Sequence, residues 1–310
     1  MLQSGAIVMA AGKSTRMKSG KVKVLHHICG RPMLAYVLDA LRQAGVAKIA
    51  VVVGHDRQSV IDIFGNEPDL TFITQAEQKG TGHAVMMAQG AMAAIQGPIF
   101  VLAGDGPLIR AKTLKDLLAI FAAQPTAMTL ATSELPNPTG YGRILRREDG
   151  GLLRIVEDRD CTDSQRLIRE VNPSYYLFDS ARLWKYLPQI KPNNAKGEYY
   201  LTDLVEILLS AGEPVQAVAA VPAEEVLSIN SRQELATVAA VMQRRIAEEV
   251  MAGGVTIVSP ENTWIEFGAK IGQDTVLEPF TFIGTGAVID AGAHVAAGTI
   301  IGRGAHFGGA

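Results

Sequence analysis

A short apolar run, "AIVMAA" at residues 6–11, opens into a loop that carries Gly12, Lys13, Arg16 and Lys23. Glycine permits a turn that residues with a Cβ resist, and successive backbone N–H groups in such a turn can cup an anion. Lys13 and Arg16 then lie within reach of the bound charge, and Lys23 follows seven residues after Arg16. The pattern is neither G-x-x-x-x-G-K-[ST] nor G-x-G-x-x-G, so it predicts a phosphate-holding loop of another type. A surface loop with ordinary basic residues is the competing reading. Asp105 directly follows a second apolar run, "IFVLAG", so its carboxylate emerges at the carboxyl end of a strand. One carboxylate there, with phosphate oxygens, water and one amide oxygen, suffices for a hard Mg²⁺ ion. An aspartate capping a neighbouring loop is the alternative.

These residues need a scaffold. From residue 6 to about 130, the runs "AIVMA", "IAVVVG", "TFITQ", "IFVLAGD" and "AMTLAT" read as strands. Helix-like stretches such as "PMLAYVLDALRQAG" and "GTGHAVMMAQGAMAAI" separate them. This alternation predicts an α/β fold with a Rossmann-like, mostly parallel sheet, whose ligands bind beyond the carboxyl ends of the strands. From 130 to 230 the pattern loosens into turns between further short strands, an elaboration able to form the other wall of a cleft. Residues 231–252 form a continuous helical pattern, with Ser231 as N-cap, Glu234 three positions on, and "GG" at 253–254 as the stop.

Beyond that helix the sequence repeats. Ile265, Ile271, Leu277, Ile283, Ile289, Val295, Ile301 and Phe307 recur at a spacing of six. A small residue sits four positions after each of the first seven, from Ala269 to Ala305. One buried aliphatic per six residues predicts a parallel β-helix. The predicted domains are therefore 1–230, a linker helix at 231–252, and a short β-helix at 253–310.

Composition narrows the function classes. With 29 basic against 31 acidic residues, the chain has no overall basic field for nucleic acid. Its two cysteines, Cys29 and Cys161, match neither a disulfide framework nor a metal motif. No run approaches the length that spans a membrane, and no signal peptide is evident at the N-terminus. A soluble cytoplasmic protein is predicted.

The segments "AAGKSTRM", "KVL", "TQAEQKGTGHA", "LAGDGPL", "PTGYGRI", "RIVEDRDCTD", "IREVN", "NNAKGEYYLTD" and "INSR" occur in this order. Together they resemble the sugar-nucleotide pyrophosphorylases, and specifically the bifunctional N-acetylglucosamine-1-phosphate uridyltransferase and glucosamine-1-phosphate acetyltransferase family. The resemblance runs from about residue 5 to the end of the chain. It implies a GT-A-like nucleotidyltransferase domain followed by a left-handed β-helix, with UTP, a sugar 1-phosphate and Mg²⁺ as ligands. It implies UDP-N-acetylglucosamine pyrophosphorylase activity, the transfer of UMP to N-acetylglucosamine 1-phosphate with release of pyrophosphate.

The site residues follow by the same resemblance. Asp105 and Asn230 would hold the metal, and Arg16 and Lys23 would neutralise the phosphates. Ala10, Ala11, Gly12, Lys13, Gln75, Gly80 and Thr81 would bind the nucleotide, with Gln75 and Gly80 reading uracil. Gly142, Glu157, Asn172 and, more weakly, Glu198 would bind the sugar. His83 is read as structural, with no partner apparent. Three departures from the family pattern stand near these positions: Val22 before Lys23, Ala103 before "GDG", and "NPSYY" from Asn172. They leave another sugar 1-phosphate or dTTP open as substrate, and a non-catalytic nucleotide-sugar-sensing subunit as an alternative function. The family's acetyltransferase positions lie beyond the short β-helix, so no acetyltransferase activity is expected. The family packs as a homotrimer through this helix, against which its shortness here counts.

Overall fold

The computed structural model describes residues 3–12, 15–194 and 196–308. The chain forms two compact units, Met1–Val24 with Leu34–Leu227, and Leu25–Met33 with Ser228–Ala310. No helix among the described residues is long and apolar enough to cross a membrane.

In the first unit one sheet is built from β1 (Gly5–Ala10), β2 (Lys48–Val53), β3 (Leu70–Thr74), β4 (Ile99–Ala103), β5 (Met128–Glu134), β6 (Gly142–Arg146), β7 (Leu152–Val156), β8 (Glu170–Phe178) and β9 (Val215–Ala219). Its order is β9-β5-β8-β4-β1-β2-β3, with β6 paired to both β8 and β7. Strands β4, β1, β2 and β3 are mutually parallel, as is β9 with β5. Ile7, Val8, Val51, Val52, Val101 and Leu102 are wholly buried, so both faces of the central strands are covered. Such strands read as continuous apolar runs rather than alternating ones, which is why they were legible. The register sets Ala10 beside Val53 and Met9 beside Ala103. The carboxyl ends of three neighbouring strands therefore deliver Ala11–Gly12, Gly54 and Asp105 to one edge.

The looser stretch after residue 130 contains more order than its turn residues suggest. Strand β8 runs antiparallel between β4 and β5, and the β6–β7 hairpin extends from it. Its pairing with β5 shifts register between Val171 and Tyr175. Ser174 there adopts φ 65°, a left-handed conformation in which a Cβ is strained. Its N–H donates to Asn172 Oδ1 at 2.9 Å. Ser174→Gly is expected to raise stability by about 0.5–1 kcal/mol, after the larger chain entropy of glycine is set against the relieved strain. Urea unfolding midpoints test this, and an unchanged or lowered midpoint contradicts it.

The second unit contains the helix Arg232–Ala252, which begins where Ser231 Oγ accepts from the Glu234 N–H at 3.2 Å. It is followed by β10 (Thr256–Ile257), β11 (Trp264–Ile265), β12 (Lys270–Ile271), β13 (Val276–Leu277), β14 (Phe282–Ile283), β15 (Val288–Ile289), β16 (His294–Val295), β17 (Ile300–Ile301) and β18 (His306–Phe307). These stack as three parallel sheets, β10-β13-β16, β11-β14-β17 and β12-β15-β18, the three walls of a parallel β-helix. Ile265, Leu277, Ile283, Ile289, Val295 and Ile301 fill its interior, as their spacing predicted. Strand β10 escaped the repeat because the turn Pro260–Asn262 lengthens the interval before β11.

A hairpin from the N-terminal part of the chain, His27–Ile28 paired with Arg31–Pro32, belongs to this second unit. Its tip residues Cys29 and Gly30 have φ 45° and 90°, as a type I′ turn requires. The Phe267 N–H donates to the Cys29 carbonyl at 2.8 Å, and the Arg31 guanidinium lies 4.3 Å above the Phe267 ring. A Cβ on Gly30 would come within 2.1 Å of Thr285 Oγ1. These contacts draw residues 25–33 out of the domain that the sequence pattern runs unbroken to 230. Both cysteines are free and buried, and burial pushes the Cys29 thiol up to about 11.

Glu266 ties three coils of the β-helix together. Its carboxylate accepts from Arg303 Nη2 at 2.7 Å and Nε at 2.8 Å, and from Thr285 N and Oγ1, both at 2.9 Å. Arg303 first, then the Thr285 donors, hold its pKa down to about 2 from 4.5. A carboxyl group lowered on folding stabilises above its unfolded pKa and loses that contribution as pH falls to the folded value. The stability difference between wild type and Glu266→Gln should thus shrink as pH drops from 4.5 towards 2. A difference that stays constant over this window would remove the ion pair from the account.

Candidate active site

The site of the first unit is assembled at the strand ends. Ala10 and Ala11 are buried and bring β1 to the loop, and Gly12 follows. Lys13 lies outside the described residues. Arg16 is exposed, in a single 3₁₀ turn at Thr15–Met17 whose Met17 is buried as an anchor. Lys23 Nζ forms an ion pair with Asp105 Oδ2, so the loop's last lysine and the carboxylate after β4 meet across 82 residues of sequence. Both side chains are mostly buried. The Gly104 N–H donates to the Met9 carbonyl at 2.9 Å, which fixes the exit of β4 against β1 just before Asp105. Beside the loop opens a cleft of about 620 Å³, walled by Gly12, Lys21, Lys23, Gly54 and His55. That volume falls within the range of small-molecule sites, about 300–1,000 Å³.

A second segment, Gln75–Thr81, lies next to the loop. Gln75 is buried, and its Nε2 reaches the Gly80 carbonyl at 3.1 Å and His83 Nδ1 at 3.0 Å. His83, which had no apparent partner in the sequence, thus orients Gln75. Gln78 Nε2 donates to the Ala11 carbonyl and ties this segment to the phosphate loop. Neither role leaves a signal in the sequence, because each depends on where another segment's backbone passes. Gly80 has φ 102°, and Thr81 Oγ1 accepts from the Leu201 N–H at 3.0 Å. The motif "GEYYLTD" is thereby laid along "KGTG", with Tyr199 N–H donating to Lys79 O at 2.7 Å and Gly82 N–H to Tyr199 O at 2.8 Å.

Three of the residues expected on the sugar side, Gly142, Glu157 and Asn172, share one cross-strand row. Gly142 pairs with Asn172, and Arg143 with Val156, which sets Glu157 on the other side of Gly142. Asn172 Nδ2 donates to the Tyr176 hydroxyl at 2.6 Å. Thr202 Oγ1 donates to Glu157 Oε1 at 3.2 Å. Burial pushes the Glu157 carboxyl up, opposed by the Thr202 hydrogen bond. Glu198 is bent back by Asn194, whose Oδ1 accepts its N–H at 3.2 Å, and its carboxylate lies 3.7 Å from Lys196 Nζ. Asn230 belongs to the second unit, where its N–H donates to Glu234 Oε2 at 2.7 Å.

Basic side chains, a strand-end carboxylate and a row of sugar-sized polar groups suit the joining of two phosphate compounds. The description "MobA-like NTP transferase domain" matches residues 6–174. The chain belongs to that family. Among curated relatives of this NTP transferase, the bifunctional protein GlmU of Brevibacillus brevis is 46% identical over 278 residues, 90% of this chain and 60% of the relative. That of Pelobacter propionicus is 44% identical over 274 residues, 88% of this chain and 60% of the relative. The chain therefore spans about 60% of the length of these relatives. A crystal structure of UDP-glucose pyrophosphorylase complexed with UDP-glucose superposes with a TM-score of 0.64 at 17% identity, covering 79% of this chain and all of that one. At that identity the likeness is one of fold.

Proposed function

We propose that this NTP transferase makes UDP-N-acetylglucosamine by transferring UMP from UTP to N-acetylglucosamine 1-phosphate. An oxygen of the sugar phosphate attacks the α-phosphorus of UTP. The bond from that phosphorus to the β-phosphate bridge breaks, and pyrophosphate leaves with the bridging electrons. The nucleophile needs no general base, because a phosphate monoester is largely ionised near neutral pH. The work is positioning and charge neutralisation. The observation that carries the reading is the meeting of Lys23 with Asp105 at the mouth of the phosphate loop.

In this reading the first unit, residues 1–24 and 34–227, is catalytic, with 231–252 a linker helix and 253–310 a β-helix. Ala10, Ala11, Gly12 and Lys13 hold the triphosphate, with Arg16 and Lys23 set against its developing charge. Gln75, whose Nε2 is held by the Gly80 carbonyl and His83, offers its Oε1 as acceptor to the imide N–H of uracil, and Gly80 and Thr81 shape the same pocket. Glu157, Gly142 and Asn172 meet the hydroxyls and acetamido group of the sugar, with Glu198 at the margin.

The family implies a divalent metal, and the residues present fit one. Among the described residues no cluster of three acidic, histidine or cysteine side chains could cage an ion. Asp105 supplies one hard oxygen donor, which suits Mg²⁺, an ion that takes most of its shell from phosphates and water. Asp105 would hold it, and the bound ion would supply further neutralisation of the phosphates.

The proposed setting is the cytoplasm, where UTP is made. Self-association through the β-helix is part of the proposal, supported by the outward row Trp264, Phe282 and Ile300 along β11-β14-β17, in which Ile300 is 75% exposed. The test of function is pyrophosphate release with Mg²⁺, comparing UTP with dTTP and N-acetylglucosamine 1-phosphate with other sugar 1-phosphates. The proposal expects UTP and the N-acetylated sugar to be preferred. Release with another pair would reassign the substrates. Binding of UDP-N-acetylglucosamine without any release would favour a sensing subunit.

A further inference from the structure

Arg143 is charged and only 2% exposed, and nothing in the proposed chemistry uses it. It stands in β6 immediately after Gly142, opposite Val156 in β7 and Val171 in β8. These are the residues just before Glu157 and Asn172. Arg143 thus occupies the row next to the proposed sugar-binding row, and strand alternation sends its side chain to the opposite face from that of position 142.

The guanidinium is held from two sides. Its Nη2 lies 3.0 Å from Asp158 Oδ1, and its Nη1 donates to the Tyr141 carbonyl. Its Nε is buried without a hydrogen-bond partner among the described residues. A buried ion pair with an orphaned N–H is a poor way to stabilise a fold, since a well-packed apolar side chain often does as well. What the pair does achieve is local. Asp158 opens the 3₁₀ turn Asp158–Asp160, for which Glu157 is the N-cap. Fixing Asp158 fixes the direction in which the chain leaves β7, and so the direction of the Glu157 carboxylate. Arg166 approaches the same Asp158 oxygen at 3.9 Å from the neighbouring helix, a weaker second hold.

We propose that Arg143, acting through Asp158, is a positioning residue for Glu157 and sets the affinity for the sugar phosphate. The inference rests on the function proposed above. The charges that bear on Glu157 itself are Asp160, Asp203 and Lys196, so Arg143 works by geometry and not as a neighbouring charge.

The test is steady-state kinetics of Arg143→Lys, Arg143→Met and Asp158→Asn beside wild type, varying UTP and N-acetylglucosamine 1-phosphate in turn. A carboxylate turned away from its hydroxyl partners should raise KM for the sugar phosphate about tenfold or more, with KM for UTP changed less than about twofold. Asp158→Asn keeps the side-chain volume, so it reports even if Arg143→Met fails to fold, and it should show the same selective rise. A general loss would raise both KM values or lower kcat alone. An active wild type whose variants show that pattern, or no change, overturns this inference and leaves the function standing. A folded wild type that releases no pyrophosphate overturns the function, and this inference with it.

Discussion

Asp105→Ala is expected to lower kcat for pyrophosphate release about a thousandfold, while the protein stays folded by circular dichroism. Preorganised groups that meet developing charge in a desolvated site are worth about 10²–10³ in kcat apiece. Asp105 carries two such tasks in this account. It supplies the protein's carboxylate to the metal, and it is the ion-pair partner of Lys23. Its loss therefore also disturbs the lysine that faces the triphosphate. Asp105→Asn keeps an oxygen donor without the charge, and its kcat should fall between the two. Measured by coupled pyrophosphate assay at saturating Mg²⁺, a kcat within about tenfold of wild type in Asp105→Ala would take this residue out of the metal site.

Gly80→Ala should have the second largest effect, and it should fall on the nucleotide. The φ of 102° at Gly80 is one that L side chains rarely adopt. A Cβ there would also lie 2.6 Å from the Tyr199 carbonyl oxygen and 2.9 Å from its nitrogen. Neither atom can yield without breaking the bonds that Tyr199 makes to Lys79 and Gly82. The Gly80 carbonyl, which accepts from Gln75, would move with them. KM for UTP is expected to rise about 100-fold, as for an angstrom-scale misplacement, with a stability loss of about 1–3 kcal/mol. Kinetics with varied UTP and a urea denaturation curve check both. A KM within about threefold of wild type would mean that this segment does not read the base.

How much of this was legible beforehand depended on whether a pattern was local. The hexad repeat was plain because each short strand places one aliphatic residue inward, and Ile265 to Ile301 carry that period unaided. The central strands were plain because burial on both faces leaves an uninterrupted apolar run. Strand β8 is marked less plainly, because Pro173 and Ser174 form a bulge within a nine-residue strand. The allegiance of residues 25–33 could not be read at all. It follows from how closely Gly30 fits against Glu266 and Thr285, far along the chain.

The site divides the same way. Asp105 was marked by its place after a strand, and Gly12, Arg16 and Lys23 by their spacing in a loop. The groups that orient such residues carry no comparable mark. Gln78 is one polar residue among several, until the fold brings the Ala11 carbonyl to its amide. His83 becomes meaningful only when Gln75 is found beside it. Arg143 reads as an ordinary basic residue of "GYGRI", and only its burial against Asp158 singles it out. An orienting side chain is defined by contacts distant in sequence, so it is a property of the folded chain.

The most direct test of the central claim follows the phosphorus that changes hands. UTP labelled at its α-phosphate is incubated with N-acetylglucosamine 1-phosphate, Mg²⁺ and the protein, and the products are separated. The account predicts that the label appears in UDP-N-acetylglucosamine, in step with unlabelled pyrophosphate, and that Asp105→Ala slows both about a thousandfold. Label that stays in UTP, or emerges as UMP or UDP without a sugar attached, would contradict it.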